Sequence, residues 1–315
     1  MPEVAKLSAG YFARPGMDLI DLFVGSEGTL GIIAEATLRV IPLPRRCLAL
    51  IICADDPQAL ALAAALRAEA AEARDRNGPL DVAAIEYVDA RALGTVPDEA
   101  FARARVPRPA GGAALLLAQV ETTADEDPAL ERLLTVLEAH GVTGDPSLAL
   151  PGDERGAERL FALREAVPAA VNAAVAAAQT ADPRVEKTAG DFVVPVERLG
   201  ELVALCRSAF EGRELDYAIW GHVSDGNLHP NVVPRSREDV ERGREALVEI
   251  AHGVVALGGA PLAEHGVGRS ALKQRLLREL YGEDGIDQMK AVKRALDPGW
   301  KLSPGVLFPA PRSRT

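Results

Sequence analysis

Apolar and polar positions follow two periods along this chain. From Ile33, residues Ala34, Ala36, Leu38 and Val40 fall on one face and Glu35, Thr37 and Arg39 on the other, which predicts a half-buried strand ended by Pro42 and Pro44. Cys47 to Cys53 is a short apolar run. Asp56-Pro57 then opens a helix over 58–72, and a strand returns over 80–87. After a Pro-rich excursion between Pro97 and Pro109 the unit repeats, with a strand over 113–120, a start signal at Asp127-Pro128, a helix over 129–140, Gly141 at its end and a strand within 142–150. Two βαβ units in succession predict an α+β fold, an antiparallel ferredoxin-like sheet with helices on one face.

A helix over 153–180 follows, carrying Arg164-Glu165. Its Ala-rich part, interrupted by Pro168, Asn172 and Gln179, reads as a core helix. EKTAGDFVVP is extended, and 196–210 is helical. The stretch WGHVSDGNLHPNVV, 220–233, is a hairpin, because Asp225-Gly226 suits a two-residue turn with positive φ at both central positions. Centred there, Ser224 pairs with Asn227, Val223 with Leu228 and His222 with His229. Two directly opposed imidazoles, about 5 Å apart at Cβ, can share a metal ion or a substrate. A helix over 236–257, capped by Ser236 and stopped by Gly258-Gly259, leads to EHGVGR at 264–269, then to helices over 270–281 and 284–296 and a Pro/Gly-rich tail.

Composition narrows the partners. The chain has 315 residues, enough for one large or two ordinary domains, with 48% hydrophobic content. Thirty-five basic against 46 acidic residues give a net charge of −11, and no basic run offsets it, so nucleic acid and anionic membrane are disfavoured. Cys47, Cys53 and Cys206 show no metal or disulfide spacing and fit a reducing, cytoplasmic setting. Neither a secretory leader nor an apolar run of spanning length is evident, so no membrane span is expected.

Several residues admit both a structural and a chemical reading. His222 and His229 are hydrogen-bonded turn histidines or, with Glu264, a two-imidazole, one-carboxylate set that suits zinc or a similar divalent ion. His265 caps the helix ending at Leu257, or is a general base. Arg164 and Lys187 are surface charges unless a site must hold a carboxylate. GSEGTLG, 25–31, is a flexible loop or a turn whose backbone N–H groups approach an anion.

Together GSEGTLG, GHVSDGNLH and EHGVGR resemble the FAD-linked 2-hydroxy-acid dehydrogenases and oxidases, which act on D-lactate, glycolate and D-2-hydroxyglutarate. The resemblance implies that 1–44 is the last part of an FAD-binding domain, 45–295 a substrate-binding cap and 296–315, with DPGWKLSPGVLF, a tail returning to the flavin. It implies hydride transfer from substrate C2 to flavin N5 with His265 as base, His222, His229 and Glu264 as metal ligands, and Arg164 on the substrate carboxylate. Gly25, Ser26, Glu27, Gly28, Thr29, Gly31 and Ile32 match its FAD-contacting turn.

The chain departs from the pattern at three places. Ser224 stands where glycine is usual, Ser303 where asparagine is usual, and Ala189 where the substrate lysine lies two residues before Asp191, Lys187 being two positions earlier. The family's glycine-rich pyrophosphate loop is absent from the sequence, so a separate polypeptide, or more of the same one, is expected to supply the rest of the flavin site. The electrons then leave to a separate acceptor. A non-catalytic subunit or remnant keeping the cap fold and a metal-dependent hydrolase are the competing readings.

Overall fold

A computed structural model describes residues 2–122 and 128–309. The first unit runs β1 (Arg45–Cys53), α1 (Asp56–Arg76), β2 (Asp81–Val88), short helices α2 (Ala90–Thr95) and α3 (Asp98–Ala104), β3 (Ala114–Thr122), α4 (Pro128–Ala139) and β4 (Ser147–Ala149). Asp55 and Asp89 start α1 and α2 by accepting the N–H groups of Gln58 and Ala92. Asp127 of the predicted start signal for α4 lies outside the described residues. The strands are antiparallel in the order β4-β1-β3-β2, the ferredoxin-like order.

The second unit extends the same sheet. After α5 (Glu154–Ala181) come β5 (Thr188–Ala189), β6 (Phe192–Val193), α6 (Leu199–Glu211), β7 (Tyr217–His222), β8 (Asn227–Val232), α7 (Arg237–Ala256) and α8 (Ala271–Leu296), which is broken at Gly282 (φ 69°). β7 joins the free edge of β2, and β8, β5 and β6 follow it. This edge pairing sets Glu86 of β2 opposite His222 of β7.

Helices cover both faces of the sheet, not one. Cys47, Ala49, Ile51 and Cys53 of β1 join the core built with α1, α4, α6 and α7, whereas Leu48 and Leu50 join the core built with α2, α3 and α5. The reason lies in the strand sequence. β1 and β3 are almost continuously apolar, and a strand apolar on both faces must be covered on both. Among the described residues α5 is the one helix long and apolar enough to cross a membrane by length and composition. It buries Leu160, Leu163, Val167 and Val171 in the core built with the sheet and leaves much of its alanine surface open, so it is a partly buried cover rather than a core helix.

The alternating stretch 33–40 is not a strand. Residues 31–44 lack regular structure, and Ile32, Ile33, Leu38, Val40, Ile41 and Leu43 are exposed. A half-apolar strand needs both a ladder partner and a face to bury, and among the described residues nothing supplies either. Residues 2–30, in contrast, are anchored. Ser8 N–H donates to Ala263 O (2.8 Å), Tyr11 and Thr29 hydroxyls pair at 2.7 Å, and a Cβ on Gly10 would fall 2.6 Å from Met289 Cε. Fully buried Lys293 of α8 donates to Thr29 O (2.5 Å), Asp297 Oδ2 (2.6 Å) and Leu302 O (2.8 Å), tying the glycine-rich turn to the tail.

Candidate active site

The hairpin carries its histidines in a different register from the two-residue turn expected. His222 pairs with Asn227 and Trp220 with His229, and 223–226 form a four-residue loop. Only Gly226 there has positive φ (77°), and a Cβ on it would meet Val194 O at 2.1 Å. Side-chain packing decided the register: Val223 is buried and Asn227 donates its amide to Phe192 O and Asp191, so neither can swing into an exposed strand position. The offset between His222 and His229 is two residues. They therefore still share one face as diagonal neighbours, with ring centroids 5.3 Å apart.

Glu264, in the loop after α7, reaches both rings. Its Oε1 lies 3.3 Å from His222 Nε2 and 3.2 Å from His229 Nε2. Carboxylates stand behind the imidazoles: Glu86 Oε1 is 2.6 Å from His222 Nδ1, and Asp191 Oδ1 is 3.5 Å from His229 Nδ1. A carboxylate only accepts, so Nδ1 of His222 donates to Glu86, and in the neutral ring Nε2 presents its lone pair toward Glu264. Convergence of two ring lone pairs and an anionic oxygen is a repulsive cluster unless a proton or cation sits among them. The donor set thus fits a divalent ion, with Glu86 orienting His222 through its hydrogen bond and Asp191 close to, but not hydrogen-bonded with, His229 Nδ1. Asp191, His229 and His265 are a second close group able to ligate.

Electrostatics agree with this geometry. The Glu86 hydrogen bond raises the His222 pKa despite burial. Burial works against ionisation of Glu86 and Asp191, yet both are held below the usual carboxylate range, Glu86 by His222 and Arg164, and Asp191 by His229 and two backbone N–H groups. Lys6, which the sequence placed in a loop, donates to Glu264 Oε2 (2.7 Å) and lies 3.1 Å from Asp225. Burial opposes ionisation of Glu264, but its pKa is lowered, chiefly by Lys6.

His265 stacks on His229 with centroids 4.6 Å apart and does not cap α7. Burial lowers its pKa, favouring the neutral, proton-accepting ring. It shares a cavity of about 410 Å³ with His222, His229, Glu264, Arg164 and Lys187. Arg164 binds Glu86 through Nε (3.0 Å) and Nη2 (2.6 Å) and exposed Glu165 through Nη1. Lys187 Nζ donates to Asn172 Oδ1 (3.0 Å), and burial lowers its pKa.

The glycine-rich turn forms a separate recess. Gly25, Ser26, Glu27, Gly28, Gly31 and Ile32 line about 580 Å³ together with Lys301, Leu302 and Ser303 of the tail. Thr29 is buried behind it, its hydroxyl donating to Ser26 O. Glu27 lines the recess, but its carboxylate points into the protein and accepts the N–H groups of Val267 (2.8 Å) and Gly268 (2.7 Å).

A model of FAD linked oxidases, C-terminal domain, matches residues 59–307. The chain belongs to the FAD-linked oxidase family. It is 31% identical over 311 residues to the glycolate oxidase subunit GlcD of Bacillus subtilis (strain 168), covering 97% of this chain and 59% of that protein. It is 28% identical to the probable mitochondrial D-lactate dehydrogenase of Danio rerio (98% and 58%) and 30% identical to the D-2-hydroxyglutarate dehydrogenase of Stutzerimonas stutzeri (strain A1501) (94% and 60%). The chain therefore spans about three-fifths of these relatives' length. A 4-ethylphenol oxidase from Gulosibacter chungangensis in complex with isoeugenol shares the fold, with TM-score 0.57 and 15% identity over 96% of this chain and 61% of that one.

In this FAD-linked oxidase chain the recess suits one side of a flavin. Positive-φ Gly25 and Gly28 present backbone without Cβ, and only Ser303 Oγ comes near Gly28. Glu86, Lys6 and Lys293 belong to the site and its scaffold but to none of the three motifs. A glutamate inside the apolar strand IEYV was the available signal for Glu86. Lys6 gave none, because its partner stands 258 positions away.

Proposed function

We propose that the chain forms the substrate half of an FAD-dependent oxidoreductase that converts a small D-2-hydroxy acid, of the lactate, glycolate or 2-hydroxyglutarate type, to the 2-oxo acid. The observation that carries this reading is the convergence, in one cavity, of a neutral-leaning His265, the His222, His229 and Glu264 cluster, and the cations Arg164 and Lys187. Bound FAD would accept the substrate's C2 hydride at N5, and a divalent ion held by His222, His229 and Glu264 would act as a Lewis acid toward the hydroxyl oxygen.

The chain's own residues do the rest. Arg164 Nη1 exchanges exposed Glu165 for the substrate carboxylate, a swap that costs little because such surface pairs are weak. Lys187 adds a second cation on the same wall. His265 takes the hydroxyl proton, and its half-exposed ring can pass that proton to water. Gly25, Ser26, Gly28, Gly31 and Ile32 line the flavin recess, with Thr29 supporting it from behind and Glu27 from below. A polypeptide carrying the remaining flavin contacts and a separate electron acceptor complete the system. The buried free thiols of all three cysteines suit a reducing cytoplasm.

The test is the split between turnover and affinity. His265→Ala, assayed in the flavin-loaded enzyme, should lower kcat by about 10²–10⁴-fold with substrate affinity little changed. Equal losses in both would make His265 structural.

A further inference from the structure

The loop EHGVGR carries both Glu264 and His265, and its backbone is held in an unusual way. Four of the five amides from 264 to 268 donate to just two carboxylates. Asp191 Oδ2 accepts the N–H of Glu264 (2.8 Å) and of His265 (2.7 Å). Glu27 Oε1 accepts Val267 N–H (2.8 Å) and Oε2 accepts Gly268 N–H (2.7 Å). The amide skipped is that of Gly266, which has φ 70° and where a Cβ would lie 2.9 Å from Glu27 Cδ. Turns of this kind aim successive N–H groups into an anion-binding concavity, and here each concavity is filled by a side chain from a remote segment.

We infer that Asp191 and Glu27 are positioning residues that clamp the EHGVGR loop from two sides and so fix Glu264 and His265 over the cavity. The two jaws have different origins. Asp191 precedes β6 and also lies 3.5 Å from His229 Nδ1, so one buried carboxylate sets the loop and a ring together. Glu27 belongs to the glycine-rich turn, and its backbone lines the candidate flavin recess while its carboxylate grips the loop that serves the substrate cavity. Occupancy of the recess is thereby linked mechanically to the placement of Glu264 and His265, and the coupling is reciprocal. The link to a metal or flavin rests on the function proposed above; the clamp itself does not.

The experiment is site-resolved amide hydrogen exchange on the full chain, wild type against Glu27→Gln and Asp191→Asn, with Zn²⁺ affinity measured beside it by chelator competition. Charge-assisted hydrogen bonds support protection factors of at least ~10-fold. Glu27→Gln should speed exchange at Val267 and Gly268, and Asp191→Asn at Glu264 and His265, each by about tenfold or more, with β1 and β3 unchanged. Zn²⁺ binding should weaken about 10–100-fold in Asp191→Asn. Unchanged exchange in the loop, or loss of protection spread equally through β1 and β3, would overturn the clamp. If the wild type binds no Zn²⁺ while the exchange pattern holds, the metal reading fails and the clamp stands.

Discussion

Replacing Glu86 by alanine perturbs the site at the point where sheet pairing and chemistry meet. Its carboxylate serves Arg164 twice and His222 once, and the three side chains are only 13–26% exposed. Removing one partner of a buried ion pair leaves the others uncompensated, a loss of about 3–5 kcal/mol when burial is complete. Partial exposure here puts the expected destabilisation near ~3 kcal/mol. The pH dependence supplies a sharper signature. Glu86 has a lowered folded pKa, so its contribution is present above the unfolded value of 4.5 and is lost as pH falls through the folded value. His222 has a raised folded pKa, so its contribution is complete below 6.5 and is lost as pH rises through the folded value. The pair therefore stabilises most between pH 4.5 and 6.5. Urea unfolding in chelator, repeated across pH, should show the stability difference between the wild type and Glu86→Ala at its largest within this window and smaller on either side. A loss below about 1 kcal/mol with an unchanged pH profile would mean that the triad behaves as an exposed surface pair and the reasoning is wrong.

Other predictions follow from the same contacts. Asp89 is fully buried, with Oδ1 accepting Ala92 and Ile219 N–H groups and Oδ2 without a partner, and burial pushes its pKa up to about 7. A folded pKa raised from 3.8 means that the native state keeps a proton the unfolded chain has lost. Stability should therefore fall as pH rises from about 4 to 7, by on the order of 4 kcal/mol, and Asp89→Asn should flatten that slope in pH-dependent unfolding. Lys293→Met should cost about 3–5 kcal/mol, because it strands Asp297, the buried Thr29 carbonyl and the partly buried Leu302 carbonyl, and limited proteolysis should then cut the tail near Leu302 first. Lys6→Met should leave global stability within about 1 kcal/mol, since both its partners are partly exposed, while the pKa of Glu264 rises toward its ordinary value in an NMR titration.

Much of this architecture was legible in the chain because it is encoded locally. Ser236 announces the start of α7 through its own side chain, and Gly258 and Gly282 mark a stop and a break within one turn of where they act. The Asp56-Pro57 signal placed α1 correctly but one residue late, because Asp55 and not Asp56 caps it, and the cap of α2 at Asp89 was not anticipated. The ferredoxin-like arrangement could be anticipated from the repeated strand and helix units, but the strand order comes from the pairing in the fold. The alternation at 33–40 misled because period-two patterning specifies a face and not a partner, and the described residues offer it no partner. Helices on one face were expected from the unit count, but the doubly apolar β1 and β3 already required cover on both. The two-residue hairpin failed for a tertiary reason: Asn227 is claimed by Asp191 and Phe192, which moves the pairing by one pair of residues and keeps both histidines on one face.

Of the site, the histidines and Glu264 could be proposed from motifs, and the cavity brings them together with Arg164 and Lys187. Lys187 stands two positions from where the family pattern puts a lysine, yet it lines the cavity beside Ala189 because β5 and the segment before it both border the space. What could not be read is the scaffolding between remote segments. Lys6 on Glu264, Glu27 on Val267 and Gly268, and Glu86 on Arg164 are joined only by the fold.

The proposed function has this cavity oxidise 2-hydroxy acids through a flavin. The direct measurement is the visible flavin absorbance of the chain, reconstituted with FAD and the polypeptide that completes the flavin site, on anaerobic addition of D-lactate, glycolate or D-2-hydroxyglutarate. Rapid bleaching with at least one of the three is expected, slowed at least ~100-fold by His265→Ala. A fully loaded flavin that stays oxidised with all three and with other 2-hydroxy acids would contradict it.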